Sequence, residues 1–268
     1  MTAKSTDSGT VGKAMTVLDQ VATFGRPVRF RDILAQSPYP KGTLYRILQT
    51  LRIEQMVTFD EDLQTYSLGI RLVRLAHGAW RQASIAPVAA PMLDCLSAKL
   101  GETIHLAQLD NAQVLYVDKR NATKPVEMYS QAGKIGPAYC TGVGKAMMAF
   151  LPRAKQDAAL AQQSFHRFTD HTICTVNGLR NEFANIRKRG YAFDRQEHEQ
   201  GIICVAVPIL LSDNELLGAI SVTGTTLRTS LDSLENYAPQ LRDTATEIAA
   251  QMGHWRFPSQ SSQSITES

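Results

Sequence analysis

The chain has few cysteines and no long apolar run. Its four cysteines, at positions 95, 140, 174 and 204, lie far apart and form no Cys-x-x-Cys pair, so neither a zinc ribbon nor a disulfide framework is expected. No stretch approaches the roughly 20 apolar residues that span a bilayer, and no apolar signal core is found near residue 1. We therefore expect a cytoplasmic protein with no membrane partner, and no metal or cofactor is indicated.

The chain also lacks a strong excess of charge of either sign. Its formal net charge is +3, and its 44% of hydrophobic residues are enough to form cores. A length of 268 residues favours two domains. Residues 1–77 hold 10 Lys and Arg against 7 Asp and Glu, whereas the remainder holds 18 of each kind. The positive excess therefore lies in the amino-terminal part, as in a domain that binds phosphates locally.

A basic amphipathic helix is predicted over residues 40–54. Its apolar stripe has helical spacing and consists of Leu44, Ile47, Leu48 and Leu51. Pro40 fits the first helical position, where no amide donor is needed. Two further amphipathic helices are predicted upstream, over residues 14–22 and 30–34, with a tight turn at 37–39. Three helices with a short second turn predict a helix-turn-helix, which binds DNA.

A β-hairpin, or wing, is predicted after the third helix, because apolar and polar residues alternate on both sides of the acidic turn at 60–62. The acidic tip would repel phosphates, so we expect it to contribute little affinity. Residues 69–82 predict a connecting helix that helps to pair two chains, since two recognition helices about 34 Å apart read a palindrome. A plain surface helix packed on its own domain is the alternative.

Candidate DNA contacts surround the rest of the predicted third helix. Those expected in the major groove are Lys41, Gly42, Thr43, Tyr45 and Arg46. Lys13, in the first helix, is expected on a phosphate, where a contact positions the protein but does not specify the sequence. Arg46 is the candidate for gripping a guanine.

After Pro87 the pattern changes to mixed helices and strands. Helices are predicted before Gly101 and over residues 145–151, 177–189 and 230–252, and antiparallel strand pairs over 104–109 with 114–117 and 202–211 with 216–222. The predicted fold class is α+β, with an antiparallel sheet in the second domain. The predicted boundaries are 10–68 for the winged helix-turn-helix, 69–83 for the linker helix and 84–257 for the second domain.

Six phrases in this order make the chain similar to the IclR family of bacterial transcription regulators. They are KGTLYRILQTL from Lys41, YSLG from Tyr66, TGVGKA from Thr141, RGYAFD from Arg189, QGIICVAVP from Gln200 and AISVTG from Ala219. The resemblance implies a GAF-like second domain that binds a small effector. Effector binding is expected to change the affinity of a dimer or tetramer for a palindromic DNA operator. Further phrases, such as ETIHL from Glu102, resemble regulators of sugar-acid catabolism that sense 2-keto-3-deoxygluconate.

The turn Thr141-Gly142-Val143 is the expected position of the effector carboxylate. The resemblance implies this contact, and free amides at the start of a helix near Gly144 favour an anion. A helix cap with glycine for tight packing is the alternative. A phosphate loop is not expected, because it needs glycine at 139 and Ser or Thr at 146, where the chain has Tyr139 and Ala146.

Further residues match family positions that line the same pocket, namely Asp194, Cys204, Ser221 and Thr223. Ala206 shares a strand face with Cys204, and Met128 and Tyr139 are candidates for closing the pocket. Simple core packing is the alternative for Cys204 and Met128. Because aspartate accepts hydrogen bonds from hydroxyl groups, we expect a hydroxy or keto acid resembling a sugar acid. An aromatic or short aliphatic acid is the alternative.

A cysteine-dependent enzyme is the competing class, with Cys140 or Cys204 as nucleophile. Such an enzyme needs a histidine base nearby, but no local nucleophile signature surrounds any histidine. A metal site built on histidine with Glu197 or Glu199 is a further alternative. We expect a regulator with no catalytic residues, and whether it represses or activates stays open.

Overall fold

The computed structural model describes residues 9–83, 85–124 and 128–254. The chain divides into two compact units between Ala83 and Ser84. The predicted division into a DNA-binding domain, a linker helix and a second domain stays a prediction. The predicted end of the second domain, residues 255–257, falls outside the described residues.

The described part of the first unit, residues 9–83, contains four helices and a small antiparallel sheet. The helices are α1 (Gly9–Thr23), α2 (Phe30–Gln36), α3 (Lys41–Ile53) and α4 (Ile70–Ala83), and the strands are β1 (Val28–Arg29), β2 (Val57–Asp60) and β3 (Thr65–Leu68). β3 lies between β1 and β2. The whole predicted apolar stripe of α3 is buried, and it packs on Val17, Leu18 and Val21 of α1. The predicted winged helix-turn-helix is therefore confirmed.

The predicted role of Pro40 as the first helical residue is wrong by one position. Its ψ of 151° is extended, so Pro40 is the N-cap and Lys41 begins α3. The carbonyl of Pro40 accepts hydrogen bonds from the amides of Thr43 and Leu44, each at 3.0 Å. Pro40 thus fixes the start of α3 through its carbonyl.

The second unit contains six helices and six strands among its described residues. The helices are α5 (Ala86–Leu100), α6 (Gly142–Ala149), α7 (Arg153–Ala161), α8 (Val176–Arg189), α9 (Leu231–Glu235) and α10 (Ala238–His254). The strands are β4 (Thr103–Asp110), β5 (Gln113–Arg120), β6 (Ile135–Pro137), β7 (Ala192–Arg195), β8 (Ile202–Leu210) and β9 (Leu216–Thr225). They form one sheet in the order β6-β5-β4-β9-β8-β7.

Neighbouring strands of this sheet are antiparallel throughout, as predicted. One face carries Ile104, Val205 and Ile220, which form a core with α5 and α10. The opposite face packs against α6 and α8, and its core includes Met147 and Phe183. Because side chains alternate along a strand, the residues between those of the first core point toward α6. The second face therefore has both an apolar core and the polar positions described below.

Several elements differ from the predictions. α6 begins at Gly142 and ends at Ala149, rather than covering 145–151, because Thr141 already has cap geometry. The predicted last helix is broken into α9 and α10 around Asn236. The short elements β1, β6, β7 and α7 were not predicted, since two to nine residues give too little periodicity. Among the described residues, no helix combines the length and apolar character that crossing a bilayer requires.

Candidate functional site

The outer surface of α3 presents the side chains that were predicted to contact DNA. Lys41, Gly42, Tyr45 and Arg46 are exposed and Thr43 is half-buried. The ring of Tyr45 is 52% exposed, and its edge packs against Phe30 at a centroid distance of 6.2 Å. This contact restricts the ring while leaving its hydroxyl at the surface.

The cations at this surface are available for phosphates. Lys13 is exposed on α1, and no ion pair within the described ranges involves Lys13, Lys41 or Arg46. By contrast, Arg52 on the same helix contacts Glu61 at 3.1 Å, and Arg71 pairs with Glu54. Lys13, Lys41 and Arg46 are therefore free of ion pairs within the described residues, as are Arg26, Arg29 and Arg74.

The acidic wing tip has a structural use. The carboxylate of Asp60 accepts hydrogen bonds from the amides of Asp62 (3.0 Å) and Leu63 (2.9 Å), which closes the turn. Glu61 is held by Arg52, whose guanidinium also lies 5.4 Å from the centre of the Phe59 ring. The low DNA affinity expected of this tip stays a prediction, and its test must leave Asp60 in place.

A cavity in the second unit lies between the start of α6 and the polar positions of the sheet. Seven predicted effector contacts line it: Thr141, Gly142, Val143, Asp194, Cys204, Ser221 and Thr223. The space open to the centre of a water-sized sphere is about 30 Å³, which is room for a few atoms at most. A larger molecule therefore requires side chains to move.

The register of the sheet brings the wall residues together. Cys204 pairs with Asp194 on one side and with Thr223 on the other, so these three side chains form a row across β7, β8 and β9. Ser221 lies two residues from Thr223 on the same strand face. Ser221 as a whole residue is only 2% exposed. Its hydroxyl makes no hydrogen bond within the described part of the chain.

The start of α6 supplies free amides to this cavity. The hydroxyl of Thr141 donates to the carbonyl of Pro137 at 2.8 Å and does not cap the helix. The first amide with a helical partner is that of Lys145, which donates to the carbonyl of Thr141 at 2.9 Å. The amides of Gly142 and Val143 are therefore left for a ligand, and the positive end of the helix dipole favours an anion there.

Glycine is required at position 142 because α6 approaches β8 very closely. A Cβ built on Gly142 would lie 2.3 Å from the Sγ atom of Cys204 and 3.5 Å from the Cβ atom of Ala206. Both alternatives considered for this turn, tight packing and ligand contact, are thus compatible with the geometry, since the amides are free and the helix packs closely.

Buried charges surround the carboxyl group of Asp194. Burial and the nearby carboxylate of Glu197 raise the pKa of Asp194 to about 7. Beneath it, the ammonium group of Lys145, which is 0% exposed, forms an ion pair with Oε1 of Glu197. The carboxylate of Asp194 also accepts a hydrogen bond from the amide of Glu197 at 2.8 Å. Asp194 is therefore poised between its neutral and charged forms near neutral pH.

Three predicted effector residues lie outside the cavity wall. Tyr139 is buried, packs on Phe165 and donates its hydroxyl to the carbonyl of His166 at 2.6 Å. Ala206 is part of the apolar core under α6. Met128 is buried as well. Tyr139 and Ala206 support the wall from behind, because they pack in the same core as Val143.

Other residues line the cavity but were not predicted to do so: His105, Tyr116, Tyr129, Ser130, His198, Glu199 and Ile202. The alternation in β4 places His105 on the same face as Thr103, a signal that sequence reasoning could have used. No such signal exists for Tyr129, which is joined to the loop after β7 by a hydrogen bond from its amide to Glu199 (3.1 Å) and by a ring contact with His198.

Comparison with known proteins gives the family. A profile described as "Bacterial transcriptional regulator IclR C-terminal" matches residues 77–250, and one described as "IclR helix-turn-helix domain" matches residues 10–61. The chain belongs to the IclR family. It is therefore a member of a family of ligand-responsive transcription regulators with a DNA-binding helix-turn-helix.

Individual relatives agree with this assignment. The HTH-type transcriptional regulator KdgR of Escherichia coli is 32% identical over 233 residues, covering 87% of this chain and 89% of that protein. The crystal structure of the Thermotoga maritima IclR has a TM-score of 0.76 at 28% identity, covering 91% of this chain and 98% of that one. The carboxy-terminal domain of Escherichia coli KdgR has a TM-score of 0.57 at 30% identity, covering 63% of this chain and 98% of that one.

Cys140 and Cys204, the two cysteines considered as nucleophiles, are not activated in this IclR-family chain. Burial raises the pKa of Cys140 and of Cys204, and the carboxylate of Asp194 raises both further. A nucleophilic cysteine needs a lowered pKa. In the ranges that the structure describes, no group of histidine, cysteine and acidic residues has the arrangement of a metal site.

Proposed function

We propose that the chain binds a palindromic DNA operator as a dimer or tetramer, and that a small carboxylic acid held in the second unit changes the strength of this binding. The observation that carries the proposal is a cavity lined by Gly142 and Val143, the first residues of α6, and by the buried Ser221. Amides in the first turn of a helix have no partner within that helix. An amide pair at a helix start binds a carboxylate, and hydroxyl groups bind the oxygens of a hydroxy or keto acid.

The DNA contacts proposed for this function are Lys41, Gly42, Thr43, Tyr45 and Arg46 in the major groove and Lys13 on a phosphate. The exposure of α3 and the absence of ion pairs at these cations, within the described residues, support this assignment. The arginine fork of Arg46 matches the two acceptors of guanine, whereas Lys13 acts on a phosphate as a point charge.

Pairing of two chains through α4 is supported by its surface. Ile70, Val73 and Leu75 are 66%, 61% and 52% exposed, and three large apolar side chains on one helix are available to a second copy. Light scattering on the eluting peak of a size-exclusion column measures the oligomeric state. A monomer at micromolar concentration would contradict the proposed pairing.

The proposed effector is a hydroxy or keto acid resembling a sugar acid. Support comes from the polar wall of the cavity and from the similarity to the HTH-type transcriptional regulator KdgR. The small space of about 30 Å³ favours a short aliphatic acid as the second candidate, and the rings of Tyr129 and His198 at the cavity leave an aromatic acid as a third.

Fluorescence anisotropy tests the function directly. The protein is titrated onto a labelled duplex from its own promoter region and onto an arbitrary duplex, with and without each acid of a panel that contains 2-keto-3-deoxygluconate, gluconate, pyruvate, acetate and 4-hydroxybenzoate. We expect a preference for the promoter and a change in that affinity with at least one acid, because effector and DNA binding are coupled reciprocally. Equal affinity for both duplexes would refute DNA recognition.

Matched variants separate the two halves of the proposal. Arg46→Ala should reduce promoter preference, whereas Lys188→Ala, which removes an exposed cation from α8, should not. Gly142→Ala should abolish the response to acid, whereas Lys188→Ala, on the surface of the same unit, should preserve it. An unchanged acid response in Gly142→Ala would exclude the α6 amides as the effector site.

A further inference from the structure

A buried histidine joins two hydroxyl groups at the wall of the cavity. His105 on β4 is 2% exposed. Its Nε2 atom lies 2.8 Å from the hydroxyl of Ser130 and its Nδ1 atom lies 3.2 Å from the hydroxyl of Thr223. All three residues line the cavity, and the ring of Tyr116 packs edge-on against His105 at 5.4 Å.

The imidazole of His105 is neutral, because burial and the nearby ammonium group of Lys119 lower its pKa to about 3. A neutral imidazole has one N–H group and one bare nitrogen. One of the two hydroxyls must therefore donate its proton to the bare nitrogen, while the other accepts from the N–H group. The first offers only lone pairs to a ligand, and the second keeps its proton for donation.

We infer that Ser130, His105 and Thr223 form a subsite for a hydroxyl group of the effector, in which His105 is a positioning residue that gives the two flanking hydroxyls opposite hydrogen-bonding roles. A ligand hydroxyl both donates and accepts, so it can bind whichever of the two flanking hydroxyls it reaches. A methylene group satisfies neither, and a keto oxygen satisfies one. The inference rests on the proposed function and assigns part of its specificity.

The subsite lies away from the proposed carboxylate position. Gly142 sits over Cys204 on β8, whereas His105 is on β4, and β9 separates the two strands. Two strand spacings are about 10 Å at the backbone. Thr223 is only one strand spacing from Cys204, whereas Ser130 lies beyond His105. A hydroxyl bound at the Ser130 end is therefore several bonds from the carboxylate, as in a chain of about four to six carbons, whose entry requires the cavity to widen.

A Ser-His catalytic pair is the other use of such a geometry. A general base works best with a pKa near the operating pH, and the third group here is the hydroxyl of Thr223 rather than a carboxylate that would stabilise an imidazolium. His105 is far too weak a base for that role. The neutral triad is suited to hydrogen bonding a ligand.

Chain-matched acids test the inference on the full-length protein. Isothermal titration calorimetry measures the affinity for 4-hydroxybutyrate against butyrate, and for gluconate against hexanoate. The wild type should prefer the hydroxylated member of at least one pair by about tenfold, the effect of one or two hydrogen bonds. His105→Phe should remove the preference. His105→Gln should keep most of it, because an amide also presents one donor and one acceptor group.

Control variants distinguish this role from folding. His171→Phe, at an exposed position outside the cavity wall, should leave the preference unchanged. Thr223→Val keeps the shape of the side chain and should reduce the preference without lowering the affinity for butyrate or hexanoate, which a merely structural defect would lower equally.

The outcomes separate the inference from the proposed function. If the wild type binds no acid of either pair and none of the anisotropy panel, the proposed effector site itself is wrong. If it binds acids but His105→Phe and Thr223→Val retain the hydroxyl preference, or no preference exists, the hydroxyl subsite is wrong while the acid site stands.

Discussion

Replacing Lys145 with methionine tests how the α6 end of the cavity is held together. Lys145 is completely buried, and its ammonium group contacts Oε1 of Glu197, which is 2% exposed. The other carboxylate oxygen, Oε2, has no hydrogen-bond partner among the described residues. Lys145→Met keeps the length of the side chain but leaves the Glu197 carboxylate buried without its counter-charge.

The expected destabilisation follows from this burial. Removing one partner of a buried ion pair costs about 3–5 kcal/mol, because the remaining charge stays desolvated. Glu197→Gln should cost a similar amount, since it leaves the ammonium group of Lys145 unpaired. The double variant carries no buried charge at this position, and neutral replacements of a buried pair are often tolerated. The double variant should therefore lose less unfolding free energy than the sum of the two single losses, by about 2 kcal/mol or more.

Urea denaturation followed by circular dichroism measures the free energy of unfolding of the four proteins of this cycle. Lys188→Ala, at an exposed position of α8, controls for substitution in a helix. A double variant whose loss equals the sum of the single losses would show that Lys145 and Glu197 are not coupled, and the argument from the ion pair would be wrong.

Four further predictions concern the proposed effector site and the DNA-binding unit. Gly142→Ala should weaken binding of acids by at least tenfold in calorimetry, because the new Cβ would lie 2.3 Å from Cys204 Sγ, and unchanged binding would contradict it. Acid affinity should fall as the pH rises through about 7, where Asp194 ionises and repels a carboxylate, and Asp194→Asn should flatten this calorimetric profile. Arg46→Ala should cost about 1–3 kcal/mol in operator discrimination, and equal weakening on all duplexes in anisotropy would make Arg46 a phosphate contact. Asp62→Ser should leave promoter affinity unchanged, and a large loss would show that the wing tip binds DNA.

Local sequence patterns predict the elements in which the hydrophobic periodicity extends over many residues. The stripe of α3 predicts which residues are buried, and the same stripe therefore predicts that Tyr45 and Arg46 face outward. The alternation in β9 likewise predicts that Ser221 and Thr223 share a strand face, and the alternation in β8 predicts the same for Cys204 and Ala206. In these cases the information lies within one element, so a period of 3.6 or 2 residues is enough.

Contacts between distant segments could not be predicted in this way. In the phrase Gly142-x-Gly144-Lys145, the sequence excludes a phosphate loop but gives no other partner for the lysine. The structure shows a helix that is buried on every side, so Lys145 can be neutralised only from inside, by Glu197, 52 residues later. The hydroxyl partners of His105, on Ser130 and Thr223, also belong to other segments of the chain. The pattern of β4 alone therefore does not predict them.

Binding of an acid at this site has to move parts of its wall, which provides the link to a response. The cavity offers about 30 Å³ to the centre of a water-sized sphere, and Tyr129 is held against the loop after β7 by Glu199 and His198. That loop is fixed to α6 through Glu197 and Lys145. A ligand that displaces Tyr129 would therefore act on contacts that reach α6, the helix proposed to bind its carboxylate. Since a ligand shifts a conformational equilibrium only by its difference in affinity between the two states, we expect that difference to arise at these contacts.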